Sequence, residues 1–311
     1  MSSLNNVNKE YRSGFVALVG RANVGKSTLL NQLVGKKVSI TSPIAQTTRN
    51  RLRAVLTKEM SQMIFVDTPG IHKPHHLLGE RLVQSAKKSI GEVDCILLVF
   101  EGSQSPGKGD AFVTNLVHSS KIPILIVLNK WDLVDSNSSR QRREEYQELF
   151  DPLDWPIFCC SAKNGSGCNQ LINSLENVLP FGPQLYPSNI ISDQPEKLLL
   201  SEMIREQVLI HTREEIPHSV AVQIDRIEEN QIKKTKLIRT EILATVLVER
   251  KSQKGILIGK GGSMLKIIGQ GARLQMQKLI NGPVHLELFV KVSPNWRSNS
   301  SRLAELGYEG K

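Results

Sequence analysis

A mostly parallel α/β sheet with helices on both faces, followed by a smaller α+β module, is the architecture this sequence predicts. Three observations predict it. From about residue 14 to 180, short apolar runs of strand length alternate with amphipathic, helix-like stretches, the pattern of a parallel sheet covered on both sides. Residues 181–196, "FGPQLYPSNIISDQPE", are rich in proline and lack periodicity, which reads as a linker. Beyond it the order changes to helix, strand, strand, helix, helix, strand.

The first region's strands are "GFVALVG", "MIFVDTPG", "CILLVFEG", "IPILIVLNK" and "WPIFCCSAK", each ending in a polar or glycine-rich turn. Those turns fall at the strand ends where open α/β sheets bind ligands. In the second region, "KLLLSEMIREQVLIHTREEI" is helix-like. "SVAVQIDRIEE" and "KLIRTEILATVLVER" read as strands, two helices break at "GKGG", and "VHLELFVKV" alternates as a last strand.

At 311 residues the chain is long enough for two cores. Its 23% charged and 40% hydrophobic residues are the balance of a globular protein. No apolar run approaches the ~20 residues that span a bilayer, and "MSSLNNVNKEYRSG" has no apolar core of a secretory signal, so a cytoplasmic protein is expected. Cys95, Cys159, Cys160 and Cys168 form no Cys-x-x-Cys pair and read as buried free thiols. The net charge is +10, and residues 231–278 hold eleven Lys/Arg against two Asp/Glu. A basic stretch of that density points to nucleic acid or an anionic surface.

"GRANVGKS", Gly20 to Ser27, matches G-x-x-x-x-G-K-S/T between a predicted strand and a predicted helix. Such a loop wraps phosphates with backbone N–H groups, here those of Asn23, Val24, Gly25, Lys26, Ser27 and Thr28, and the helix adds its N-terminal dipole. Lys26 is expected on the β- and γ-phosphates and Ser27 on Mg²⁺. Asp67 in "DTPG" suits a carboxylate near that ion, and the Gly70 N–H suits the γ-phosphate. "NKWD", Asn129, Lys130 and Asp132, ends another strand, and Asp132 can accept both the ring N–H and the exocyclic amine of guanine. "SAK", Ser161, Ala162 and Lys163, follows one strand later, with the Ala162 N–H expected at guanine O6. Four motifs in order, each after a strand, predict a GTP/GDP site of a P-loop GTPase domain. The position after Gly70, usually polar in nucleotide hydrolases, is Ile71, which cannot orient a water.

"GKGG", Gly259, Lys260, Gly261 and Gly262, fits the G-x-x-G turn of a type II KH module, where two helices clamp the backbone of about four nucleotides. It sits inside the basic stretch, near Lys251, Lys254, Lys266, Arg273 and Lys278. Ile256, Ile258, Leu265 and Ile268 are expected mostly in the core, with one or two at the groove.

With these motifs in hand, the sequence resembles the Era family of translation-factor-related GTPases over its full length. "EEIPHSVAVQI" and "PNWRSNSSRLAELGY" resemble the segments bordering that family's KH domain. The resemblance implies that "QTTRN", Gln46 to Asn50, is the first switch, with Thr48 on Mg²⁺ and Thr47 the lesser candidate. Ala22 stands where the family's phosphate loop usually has proline. Family members with a hydrophobic residue after the glycine imply a K⁺ ion held partly by Asn23, with first-switch backbone positioning the water; His72 is the alternative. The implied catalytic set is Lys26, Thr48, Gly70 and Asn23. The implied function is a slow GTPase that binds the 3′ end of 16S rRNA and assists assembly of the small ribosomal subunit. A monomer is expected, with peripheral inner-membrane association as a further partner. Trp296 is expected to cap the second domain's core rather than stack on RNA. The alternative reading is a GTPase acting on another RNA or at a membrane surface, its basic domain binding protein. The expected boundaries are a tail to residue 13, a GTPase domain 14–180, a linker 181–196, a KH domain 197–296 and a tail 297–311.

Overall fold

The computed structural model describes residues 11–41, 52–68, 70, 84, 90–118, 120–151, 153–214, 216–231 and 237–306. Among these, residues up to Asp193 form one compact unit and those from Gln194 a second.

The first unit is built on a sheet ordered β2-β3-β1-β4-β5-β6. Its strands are β1 (Arg12–Val19), β2 (Leu52–Thr57), β3 (Ser61–Asp67), β4 (Cys95–Glu101), β5 (Ile124–Asn129) and β6 (Ile157–Cys159). Only β2 runs antiparallel to its neighbour, β3; the other pairings are parallel. β3 and β5 are buried at every position, as strands covered on both faces must be. The helices α1 (Lys26–Val34), α2 (Lys108–Val117), α3 (Ser139–Phe150) and α4 (Cys168–Val178) carry the apolar stripes. One core cluster joins Ala17, Ile96, Leu98, Phe100 and Ile126 to Val113, Tyr146 and Phe150. β1 has β3 on one side and β4 on the other, so the order reverses there, and the ends of β1, β3, β4, β5 and β6 open at one edge.

The segment expected as a linker is docked on this unit through Asp193. The buried amide of Gln62 accepts from the Leu185 and Tyr186 N–H groups at 2.8 Å each and donates to the Tyr186 carbonyl at 2.8 Å. Val55 N–H donates to the Ile191 carbonyl at 2.8 Å, Ser192 Oγ to the Arg53 carbonyl at 2.9 Å, and Arg53 pairs with Asp193 at 3.1 Å. The segment lacks periodicity because irregular bonds to side chains and to the β2 edge, rather than a ladder, satisfy its backbone. It also covers that edge.

The second unit comprises α5 (Glu196–His211), α6 (Ile216–Ser219), β7 (Ala221–Gln231), β8 (Ile238–Val248), α7 (Lys251–Ile258), α8 (Ser263–Ile280), β9 (Val284–Val292) and α9 (Ser300–Glu305). Its sheet is ordered β7-β8-β9. β7 and β8 pair antiparallel and can be joined by a short connection, whereas β8 and β9 pair parallel and require the α7–α8 crossover. Leu200, Ile204 and Val208 of α5 and Ile268, Ala272 and Met276 of α8 pack on Ile242, Ala244 and Val246 of β8. Trp296 is fully buried and its Nε1–H donates to the Ser219 carbonyl at 2.9 Å, so it caps the core as expected.

Candidate functional site

The loop Gly20–Ser27 leaves β1 and turns directly into α1. Val24 is buried and anchors it, while Asn23 is exposed at the tip with φ +66°. Gly25, the N-cap of α1, has φ +93°, and a Cβ there would lie 2.3 Å from Asn129 Nδ2. Glycine is required on both counts. No side chain caps α1, so the helix presents backbone donors at the loop, a ready anion site. Thr28 follows, half-buried, in the same turn.

Lys26 is buried, and its Nζ donates to the Gly20 carbonyl at 3.0 Å and the Arg21 carbonyl at 2.8 Å. Burial lowers its pKa to about 8, against the opposing pull of the Asp67 carboxylate. Ser27 Oγ donates to Asp67 Oδ2 at 2.8 Å, and Ser39 Oγ donates to the same oxygen at 2.9 Å. Asp67 is the last residue of β3, and Thr68 Oγ1 ties the following turn to the Leu18 carbonyl at 2.6 Å. Gly70 lies against Ala22: a Cβ on Gly70 would be 2.7 Å from the Ala22 Cα.

Asn129 joins three loops. Buried at the end of β5, it donates through Nδ2 to the Val24 carbonyl at 2.9 Å and accepts through Oδ1 from the Ala162 N–H at 2.9 Å. Ser161 Oγ donates to Asp132 Oδ1 at 2.6 Å, orienting a carboxylate on an exposed residue. Lys130 pairs with Glu101 at 2.9 Å, and Lys163 is exposed. The fold thus brings Gly20–Thr28, Asp67, Gly70, Asn129–Asp132 and Ser161–Lys163 to one edge. Motif reading missed Ser39, Thr68 and the Arg21–Asp110 ion pair at 2.6 Å, in which Asp110 is fully buried and also accepts from the Gly107 N–H at 2.9 Å. No spacing rule links those residues, so no local signal marked them.

In the second unit, Gly259 ends α7 with φ +72° and ψ +173°, a region essentially reserved to glycine, and a Cβ there would meet the Met264 backbone nitrogen at 2.9 Å. Gly261 and Gly262 have φ +60° and +79° but open space where a Cβ would stand. Lys260, Lys266, Arg273 and Lys278 are exposed, and Lys254 is half-buried. Ile256 is 54% exposed beside the turn, whereas Ile268 is buried and Ile258 and Leu265 pack partly on the core. Of these four side chains, Ile256 is the exposed one.

A family model described as "50S ribosome-binding GTPase" matches residues 15–130, and one described as "KH domain" matches residues 215–297. The chain is 55% identical over 299 residues to GTPase Era of a Nostoc species, covering 96% of this chain and 90% of that one. The chain belongs to the Era GTPase family. It is a GTPase carrying a C-terminal KH domain. It is also similar to a crystal structure of Era in complex with MgGDPNP and nucleotides 1506–1542 of 16S ribosomal RNA. The TM-score is 0.91 and the identity 37%, over 96% of this chain and all of that one. A second Era structure, an Aquifex aeolicus variant bound to GDP and AlF₄⁻, matches with TM-score 0.90 and 36% identity over the same shares. Of the Era-type positions predicted above, the first switch with Thr47 and Thr48, and the Ile71–His72 pair, lie outside the described residues. Among the described residues, no helix is long and apolar enough to cross a membrane.

Proposed function

We propose that this chain is a slow GTP-driven switch that binds the 3′ end of 16S rRNA through its KH unit during maturation of the small ribosomal subunit. The observation that carries this reading is the likeness, over nearly the whole chain, to Era in complex with MgGDPNP and a 16S rRNA fragment. Residues 14–180 are the hydrolytic body and 197–296 the RNA-binding one.

Gly20, Asn23, Val24, Gly25 and Thr28 cradle the phosphates, and Lys26 shifts from loop carbonyls to the β- and γ-phosphates. The adjacent hydroxyl and carboxylate of Ser27 and Asp67, 2.8 Å apart, are a hard-oxygen donor set fit for Mg²⁺, with Thr48 as a further ligand. When bound, that ion neutralises charge on the phosphates. The Gly70 N–H faces the γ-phosphate. Asp132, held by Ser161, reads the guanine N–H groups, the Ala162 N–H reads O6, and Asn129, Lys130 and Lys163 hold the base's surroundings. Asn23 at the exposed loop tip would hold a K⁺ ion, which would supply the charge an arginine otherwise brings, with backbone groups left to position the water. Equal turnover in K⁺ and Na⁺, unchanged by Asn23→Ala, would rule the ion out.

In the KH unit, Gly259, Lys260, Gly261 and Gly262 clamp the RNA backbone. Lys254, Lys266 and Arg273 contact phosphates, and Ile256 meets a base. The test is to crosslink the GTP-loaded protein to total cellular RNA and sequence what is attached, with Gly261→Asp as control. Open space at Gly261 lets the variant fold while placing a negative charge where a phosphate must sit. A peak at the 3′ end of 16S rRNA, lost in the control, is expected; scattered RNA would refute the cargo and leave the GTPase intact.

A further inference from the structure

The exposed tip of the phosphate loop hangs between two side-chain pins. At one end Asn129 Nδ2 donates to the Val24 carbonyl at 2.9 Å, and the guanine motif already marks that asparagine. At the other end Arg21 Nε donates to Asp110 Oδ1 at 2.6 Å. Asp110 lies in the first turn of α2, and no motif marks it. Ala22 and Asn23 are the residues between the pins.

The second pin is rigid on both sides. Asp110 is fully buried, and its Oδ2 accepts from the Gly107 N–H at 2.9 Å, so both carboxylate oxygens are engaged. Val113 and Val117 of the same helix sit in the core, and Thr114 Oγ1 donates to the Asp110 carbonyl at 3.0 Å. The Arg21 stem runs along this helix. A Cβ on Gly109 would stand 2.5 Å from Arg21 Cδ, so a larger residue there would displace the guanidinium.

Stability does not account for the pair. Binding the Gly107 N–H calls for an acceptor but no charge, and a neutral amide meets that need at the same helix position. A buried ion pair is also often no more stabilising than apolar side chains of similar volume. What the charge adds is a short, directional bond to the phosphate loop. That bond bears on the edge assigned above to the γ-phosphate. The Arg21 carbonyl accepts from Lys26 Nζ at 2.8 Å. The next residue, Ala22, abuts Gly70, where a Cβ would lie 2.7 Å from the Ala22 Cα and 2.9 Å from its nitrogen. Moving Arg21 therefore moves a support of Lys26 and the surface on which Gly70 rests.

We propose that Arg21 and Asp110 are positioning residues for GTP hydrolysis, holding residues 21–23 so that Lys26, Gly70 and Asn23 meet the γ-phosphate in register. The inference rests on the nucleotide-site reading above. Arg21 acts through its carbonyl and through Ala22, not as a catalytic group. The N–H groups of residues 24–28 take the phosphates of GTP and GDP alike, so affinity survives loss of the pin. Contacts to the transferring phosphoryl group matter most in the transition state. A misplacement of ~1 Å there costs up to about 10²-fold in rate.

The test uses the full-length protein. Arg21→Met/Asp110→Asn removes both charges together, leaving no buried charge unpaired, while asparagine keeps an acceptor for the Gly107 N–H. Arg21→Lys keeps the cation: the lysine Cε stands where arginine has Nε, so the ammonium lies one atom further out and reaches the same carboxylate. Gly109→Ala disturbs the pin by contact alone, and alanine suits the helix better than glycine. Phosphate release, GDP affinity by calorimetry and the thermal midpoint are measured on each. The double variant should keep its midpoint and its KM for GTP while kcat falls about 10- to 100-fold. Arg21→Lys should retain most of the turnover, and Gly109→Ala should lower kcat at unchanged KM. A double variant with wild-type kcat, or one whose losses appear in KM and midpoint instead, would overturn the proposal. So would a lysine variant as slow as the double one. If the double variant fails to fold, wild-type kcat in Gly109→Ala overturns it. Lys26→Ala in the same assay separates the two readings. Near-normal turnover there would overturn the nucleotide-site reading and this proposal with it, whereas slow Lys26→Ala beside an undiminished double variant overturns the positioning role alone.

Discussion

The two glycine-rich loops of this chain, Gly20–Ser27 and Gly259–Gly262, are both proposed to take phosphates but are held in opposite ways. The first is held by a polar network, part of it from distant strands: Lys26 on the loop's own carbonyls, Asn129 on Val24, and Ser27 and Ser39 on Asp67. The second is exposed and specified by local backbone conformation, with φ +72°, +60° and +79° at its glycines. A network fixes atoms precisely enough for chemistry on a phosphoryl group, where small displacements cost rate. A solvent-facing turn between two helices suffices to clamp a backbone.

The sharpest way to break this contrast is Lys26→Ala. It should lower GTP turnover by about 10²–10³-fold or more, as loss of a preorganised electrostatic group does, while leaving RNA crosslinking of the KH unit in place. Phosphate release in single-turnover assays reads it, and near-normal turnover would undo the assignment of Lys26. Next in size, Asn129→Ala leaves the buried Val24 carbonyl and Ala162 N–H unpaired. Each such group costs about 1–3 kcal/mol, so both denaturation midpoint and GDP affinity should drop together. A variant that lost affinity alone would show that Asn129 contacts nucleotide without holding the loops.

The pH dependence separates the loops further. Because burial lowers the Lys26 pKa to about 8, the unfolded chain binds the proton more tightly than the folded one. This group's contribution to stability therefore rises as pH climbs from about 8 toward the ordinary lysine value, and is constant below that window. Phosphates favour the ammonium, so nucleotide binding takes up a proton above pH about 8 and weakens by up to about tenfold per pH unit there. Calorimetry in buffers of different ionisation enthalpy measures the uptake; none at high pH would refute it. The smallest effects belong to the second loop. Gly261→Ala should cost about 1–2 kcal/mol from its left-handed conformation. Gly259→Ala should cost more, since a Cβ collides with Met264. Equal midpoints in thermal melts would show that the turn relaxes.

Legibility followed the same division. The order of strands and motifs was readable because each nucleotide motif sits just after an apolar run, and the KH turn was readable because its pattern lies in four consecutive residues. That the linker residues up to Asp193 dock on the first unit could not be read, because their partners, Gln62 and the β2 edge, lie far off in sequence. Ile256, Ile258, Leu265 and Ile268 were expected mostly in the core with one or two at the groove, and periodicity did not say which. Only packing showed that Ile256 faces solvent.

Composition, hydrophobic period and motif spacing carry the chain's class, its two units and the motifs proposed to face ligands, since these depend on local backbone and side-chain chemistry. Tertiary structure alone decided which polar groups hold those residues in place: Asn129 between three loops, Ser39 beside Ser27 on Asp67, and Arg21 on Asp110. A buried polar group must find a partner wherever the fold puts one, and sequence distance says nothing of where that will be.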